Sequence, residues 1–220
     1  MADSTLVTGV FIGRVEDRWN GRPPSAIGKR AVRGPVAVGA TGLDGDAQAD
    51  LRVHGGVGKA VHVYPAAHYP AWERELGPNP RFAPGGFGEN VSLPDWTEED
   101  VCIGDVLRMG SATVAVSQGR QPCWKLAAHV GVEDMVLRMR DSLRTGWYLR
   151  VVEAGVVAEG DGMSLLDRPH PGWTVRRAAA ALFDRRTEID VVAELARMDD
   201  LDPSWRDDFA GRLARAGAQA

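Results

Sequence analysis

The chain reads as mainly β with an appended α segment: a β-barrel with short inserted helices over residues 1–168, then a small three-helix bundle over residues 172–220. Three observations predict this. Up to about residue 168, Gly and Pro cut the sequence into short pieces rich in β-branched residues. Two-residue and three-residue turn signals join several of these pieces as hairpins. After Pro169-His170-Pro171-Gly172 the texture changes to segments that open on helix-capping residues.

The elements follow in order. Leu6–Ile12 and Pro35–Val38 read as strands, and Ala60–Tyr64 alternates as a strand should. Pro65 suits a first helical turn, so a helix is expected through Trp72 to Leu76. Val106–Met109 and Ala112–Val116 flank Gly110-Ser111 as a hairpin, and Tyr148–Val152 is expected to turn through Glu153-Ala154-Gly155 into Val156–Ala158. Many short strands favour a closed or nearly closed barrel, which removes exposed edges. Residues 122–129 and 132–140 are expected to interrupt it as helices. In the bundle, Thr174 caps a helix through Phe183, Thr187 a second to about Met198, and Asp202 with Pro203 a third. Val191, Val192, Leu195 and Met198 share one helical face. So small a bundle is marginal alone and should lean on the barrel.

Composition narrows the function classes. With 44% hydrophobic and 25% charged residues the chain is an ordinary globular sequence. A formal charge of −4 argues against nonspecific nucleic-acid binding. No run approaches the roughly 18–20 apolar residues that span a bilayer. Met1-Ala2-Asp3-Ser4-Thr5 lacks the start of a signal peptide, and two cysteines make no disulfide scaffold, so a reducing cytoplasm is expected.

The most informative segment is Gln118-Gly119-Arg120-Gln121-Pro122-Cys123-Trp124-Lys125. It places a cysteine beyond a strand end, held by proline and flanked by two fixed cations. Such cations favour the thiolate, the form that attacks electrophiles or binds soft metals. Cys102, in Asp100-Val101-Cys102-Ile103-Gly104, reads instead as a small apolar residue of the core.

Other motifs fail their own tests. Val53-His54-Gly55-Gly56-Val57-Gly58-Lys59-Ala60 lacks the first Gly and the final Ser or Thr of a phosphate loop. What remains is a turn whose amides could face an anion, with His54 and Lys59 close by, or else a plain hairpin. Asp44, Asp46, Gln48 and Asp50 alternate like a calcium loop, but Ala49 and Gly55 stand where Gly and an acid are required. A turn into a polar-faced strand is expected there. Gly85-Gly86-Phe87-Gly88-Glu89-Asn90 permits close backbone approach to a ligand, or is a β-turn whose Asn satisfies its own backbone. The histidines have no zinc spacing, and no Gly-x-Ser-x-Gly elbow is present. A Cys123 hydrolase with His54 or His129 as base has no local signature. The charges at Arg176, Arg177, Asp184, Arg185 and Arg186 read as a solvated face.

Taken together, these segments resemble the MOSC domain family, and more closely its YiiM-type members, a MOSC barrel with a three-helix domain. The resemblance rests on Thr41–Asp50, Val53–Gly56 with Lys59–Val61, His68-Tyr69 with Trp72, Phe87–Asn90, Ser117–Leu126 and Thr145–Leu149, in order along the chain. It implies a molybdenum cofactor, in its molybdopterin form, with Cys123 as the metal ligand. It also carries a family-level association with pyridoxal phosphate binding. On that resemblance Arg120 and Lys125, then Ser25 and Lys29 on an early strand, would hold the anionic end of the cofactor. Asn90 and the amides of Gly55 and Gly56 would hold the pterin or line the substrate mouth, Ser117 and His54 would also contact the cofactor, and Trp147 and Tyr148 would pack over it. His54 or Glu89 would supply protons. The implied chemistry is reduction of N-hydroxylated compounds, such as hydroxylaminopurines, with electrons from a separate flavin or iron–sulfur reductase. The competing reading is a cofactor carrier or sulfur-relay protein without turnover of its own. The resemblance leaves a homodimer open.

Overall fold

Twelve strands and six α-helices succeed one another in the computed structural model, which describes residues 3–218. The strands are β1 (Ser4–Leu6), β2 (Gly9–Ile12), β3 (Arg30–Ala31), β4 (Val36–Gly39), β5 (Gly42–Leu43) and β6 (Val61–Pro65). Then come helix α1 (Tyr69–Leu76), β7 (Val91–Leu93), β8 (Val106–Met109) and β9 (Ala112–Gly119). Helices α2 (Trp124–Val130) and α3 (Met135–Ser142) follow, then β10 (Trp147–Glu153), β11 (Gly155–Val157) and β12 (Gly162–Asp167). The chain finishes with α4 (Val175–Phe183), α5 (Ile189–Ala196) and α6 (Pro203–Gly217).

Nine strands pair in the order β1-β12-β8-β9-β10-β6-β7-β2-β3, and β11-β4-β5 form a second sheet. All pairs are antiparallel except β6 with β7. Both β6 and β9 are buried along their whole length, so each is covered on both faces. The Gly110-Ser111 hairpin forms as the sequence predicts. The expected hairpin after β10 does not: β11 leaves its neighbour and pairs with β4. The expected strand Leu6–Ile12 is broken into β1 and β2, which pair with β12 and with β7. No strand forms over residues 44–50, which turn instead.

Local signals place the bundle helices. Thr174 Oγ1 accepts the Arg177 amide at the start of α4, and Asp202 accepts from Ser204 at the start of α6, ahead of Pro203. Thr187 does not cap α5, which starts at Ile189; its hydroxyl donates to the carbonyls of Ala181 and Asp184 at the end of α4. The bundle does not stand alone. Val175, Leu195, Trp205 and Phe209 join the sheet residues in one apolar cluster. Each fully buried side chain of this size contributes about 1.5–3 kcal/mol. Gly119 packs closely on the bundle, since a Cβ there would sit 3.0 Å from the Trp205 ring. The Cys123 segment therefore leaves β9 directly against the bundle. Cys102 is buried as expected, with Sγ 3.6 Å from the Pro171 carbonyl.

Candidate functional site

Beyond Gly119 the backbone leaves the sheet, and the Arg120 amide makes a last bond to the Gly146 carbonyl at 3.0 Å. Gly146 has φ 72°, and a Cβ there would meet the Val63 carbonyl oxygen at 2.4 Å, so a side chain is excluded where β10 begins. Pro122 then leads to Cys123, an extended residue at the N-cap of α2 (φ −126°, ψ 168°). Its sulfur makes no capping bond, which leaves it to the cleft in front of the helix.

Side chains from well-separated parts of the chain line that cleft. The cysteine segment contributes Cys123, Arg120 and Lys125. The loop before β3 contributes Ser25, which forms an isolated bridge with Glu16, and Lys29, which lies in irregular chain; neither stands on one of the strands. His54 and Lys59 come from the glycine-rich turn, Asn90 from the entry to β7, and Tyr148 from β10. Residues from these five regions of the sequence thus meet in one cleft with a single thiol.

The other expected residues lie elsewhere. Gly55 and Gly56 adjoin His54 in sequence but do not line the cleft. Ser117 is buried behind it, its hydroxyl donating to the Gly58 and Tyr148 carbonyls. Trp147 points into the main core, because neighbouring residues of a strand face opposite sides and Tyr148 takes the cleft side. Glu89 is wholly buried, accepting from the Tyr69 hydroxyl at 2.5 Å and from the Gly85 and Phe87 amides at 2.6 and 3.0 Å. Burial pushes its carboxyl up. Glu89 shapes its glycine turn and does not line the cleft.

Within the cleft several polar groups are already committed. Lys29 Nζ bonds both carboxylate oxygens of Asp46 at 2.6 Å, and burial still pushes its ammonium below the usual lysine range. Asp46 also accepts the Gly13 amide and Asn90 Nδ2, so this acid of the calcium-like run is a buried counterion. Asn90 Oδ1 takes the His62 amide, tying β6 to the β7 entry. Lys125 Nζ donates to the Pro24 carbonyl and Lys59 Nζ to that of Val53.

Other groups wait for a partner. Arg120 is 6% exposed, and its Nη1 has no hydrogen-bond partner among the described residues. His54 Nε2 lies 3.4 Å from Cys123 Sγ, while its Nδ1 is buried and unpartnered. Burial, then Lys125 and Arg120, lower the His54 imidazole to about 4, so it is neutral near pH 7. His62 was missed from sequence because it stands in the alternating pattern of a strand. It lines the cleft 5.0 Å from the Tyr148 ring, and burial and Arg120 keep it neutral. Its one sequence signal is a histidine between valines in a strand whose other residues are apolar.

The MOSC domain model matches residues 50–164, and a model of the YiiM-like 3-alpha helix domain matches residues 173–216. An uncharacterized protein YflK of Bacillus subtilis is 42% identical over 87% of this chain and 86% of its own length. Protein YiiM of Escherichia coli is 36% identical over 89% of this chain and 87% of its own. A protein named Reductase from Gibberella moniliformis is 36% identical over 86% of this chain, which spans only 34% of that relative. Among solved structures, YiiM from Geobacillus stearothermophilus superimposes with a TM-score of 0.82 at 31% identity, covering 95% of this chain and 99% of that one. With both models matched in order and full-length relatives on either measure, the chain belongs to the MOSC domain family, among members that carry the YiiM-like three-helix domain.

Proposed function

We propose that this chain holds a molybdenum cofactor through Cys123 and reduces N-hydroxylated compounds to the corresponding amines, with electrons from a separate flavin or iron–sulfur reductase. The observation that carries the reading is the meeting of a single thiol with Arg120, Lys125 and Lys59 in one cleft, Arg120 Nη1 being buried without a partner among the described residues. These donors fit such a group. A thiolate suits a soft metal, and guanidinium and ammonium groups suit the phosphate or pyrophosphate of a pterin cofactor. The relative named Reductase supports a redox role.

When bound, the cofactor supplies a metal centre that passes two electrons to an N–O bond. The overall change consumes two electrons and two protons and releases the amine and water. The chain's own residues bind and orient. Cys123 is the protein's ligand, and Arg120 with Lys125 offsets the negative charge of the cofactor. Tyr148 and His62 form an aromatic wall of the cleft. Neutral His54 lies beside Cys123 and can donate its N–H to the sulfur, which orients the ligand; it holds no acidic proton near pH 7, so the protons consumed come from solvent.

The test is elemental analysis for molybdenum in protein from a cofactor-competent host, with turnover of a hydroxylaminopurine by a chemical electron donor. Wild type should contain molybdenum and turn over, and Cys123→Ser should lose both. Labile sulfur lost from the variant with metal retained would favour a sulfur relay. Molybdenum without turnover in wild type would favour a carrier. Wild type without molybdenum sinks the assignment.

A further inference from the structure

A second cleft opens where α3 meets α6 and the end of α4. Its walls carry Arg140 from α3, Arg185 just past α4, and Arg212 and Arg215 from α6, against one acid, Asp208. Among the described residues Arg140, Arg185 and Arg215 form no ion pair, while the neighbouring Asp184 is taken by Arg186. Arg212 is fixed by bonds from Nη1 to the Ala181 carbonyl at 2.7 Å and from Nη2 to the Asp184 carbonyl at 2.9 Å. Burial, with Arg185 and Arg215 nearby, pushes its guanidinium down. Four guanidinium groups around one concavity repel one another, in a chain whose net charge is −4. An anion relieves that repulsion. Leu182 and Phe183 give the cleft an apolar side, and Arg140 lies 5.4 Å from the Phe183 ring centroid.

Guanidinium forks match phosphate and carboxylate oxygens in paired hydrogen bonds. We infer that this cleft is a second binding site, for a small metabolite bearing a phosphate or paired carboxylates, with its organic body against Leu182 and Phe183. The site is distinct from the Cys123 cleft but is tied to it by the chain. Gln121 lines the arginine cleft two residues before Cys123.

The test is calorimetric titration with pyrophosphate, a nucleoside monophosphate and citrate. Arg120 and Lys125 also attract anions, so Arg120→Gln is compared with the same protein carrying Arg185→Gln and Arg215→Gln as well. Arg212 is left in place because it holds the end of α4. The Arg120→Gln protein should bind at least one of the anions, and the added substitutions should weaken that binding by about tenfold or more with the melting temperature unchanged. The anion preferred separates a phosphate from a polycarboxylate ligand. Should Arg120→Gln fail to fold, amide shifts in isotope-labelled wild type, centred on Gln121 and Arg215 upon adding pyrophosphate, serve the same purpose. Binding confined to the Cys123 cleft, binding undiminished by loss of Arg185 and Arg215, or no binding of any of the three anions at low salt overturns the site.

Discussion

Cys123 Sγ and His54 Nε2 lie 3.4 Å apart across 69 residues of sequence, and the imidazole between the sulfur and a buried, unpartnered Nδ1 is neutral. A neutral imidazole carries one N–H. On Nδ1 that proton would be a buried donor without an acceptor, at a cost of about 1–3 kcal/mol. On Nε2 it can be donated to the cysteine sulfur. The geometry therefore favours His54 as a hydrogen-bond donor that stabilises the thiolate.

Removing that donor should slow the thiolate chemistry. His54→Ala is expected to reduce the rate of Cys123 alkylation by iodoacetamide roughly tenfold near neutral pH, the order of one charge-assisted hydrogen bond. His54→Gln, which keeps a donor, should lose less. Peptide mass spectrometry reads the rate directly, with buried Cys102 as an internal reference. An unchanged or faster rate in His54→Ala would show that the contact does not support the thiolate.

Stability should fall with acid over a defined window. His54 and His129 are each lowered from 6.5 to about 4, both chiefly by burial, and His62 is lowered as well. As pH falls below 6.5 the unfolded chain takes up protons that the folded chain refuses, so folding weakens. For His54 and His129 the loss continues through pH 4 and ends below it, where both states are protonated. Urea midpoints measured across this interval should decline, and His129→Gln should flatten the decline. A variant with the wild-type slope would remove His129 from the account.

The site was legible where its chemistry is local and illegible where it depends on pairing partners. Arg120, Cys123 and Lys125 are close in sequence, and a proline and a strand end fix how they emerge, so the motif could be read without a fold. Ser117, Trp147 and Glu89 lie beside cleft residues in sequence but face the other way or are sealed by neighbours. Which side of β10 faces the cleft is set by its pairing with β9 and β6, including a register shift between Tyr148 and Leu149. The same blindness explains the failed hairpin. Alternation marks β10 and β11 as strands but does not say that β11 pairs with β4.

Asp46 shows how a buried counterion hides in a polar run. Its carboxylate side chain is 1% exposed and that of Lys29 7%, in a pair at 2.6 Å. Lys29→Met leaves the carboxylate without its cation and is expected to destabilise the protein by about 3–5 kcal/mol. Lys29→Met with Asp46→Leu removes both charges and should cost less than the two single changes added together. Denaturant titration of the four proteins tests this. Additive costs would mean that the pair is not coupled, despite its geometry.

Arg120 combines a cost to the free protein with a use in the bound one. Its Nη1 is buried without a partner among the described residues, an arrangement that costs about 1–3 kcal/mol in the absence of a ligand. Arg120→Met removes the unsatisfied donor while keeping much of the side chain's packing. The unliganded variant should therefore melt at or above the wild-type temperature, although an arginine 6% exposed has been replaced. Loaded protein should respond in the opposite sense. In wild type a ligand adds stability in proportion to the logarithm of its concentration over Kd. The variant should retain less molybdenum after gel filtration and gain less stability from it. Paired melting curves of unliganded and loaded protein provide the check. A variant less stable than wild type in both states would make Arg120 a structural residue of the β9 exit, and the anion-binding role would then pass to Lys125.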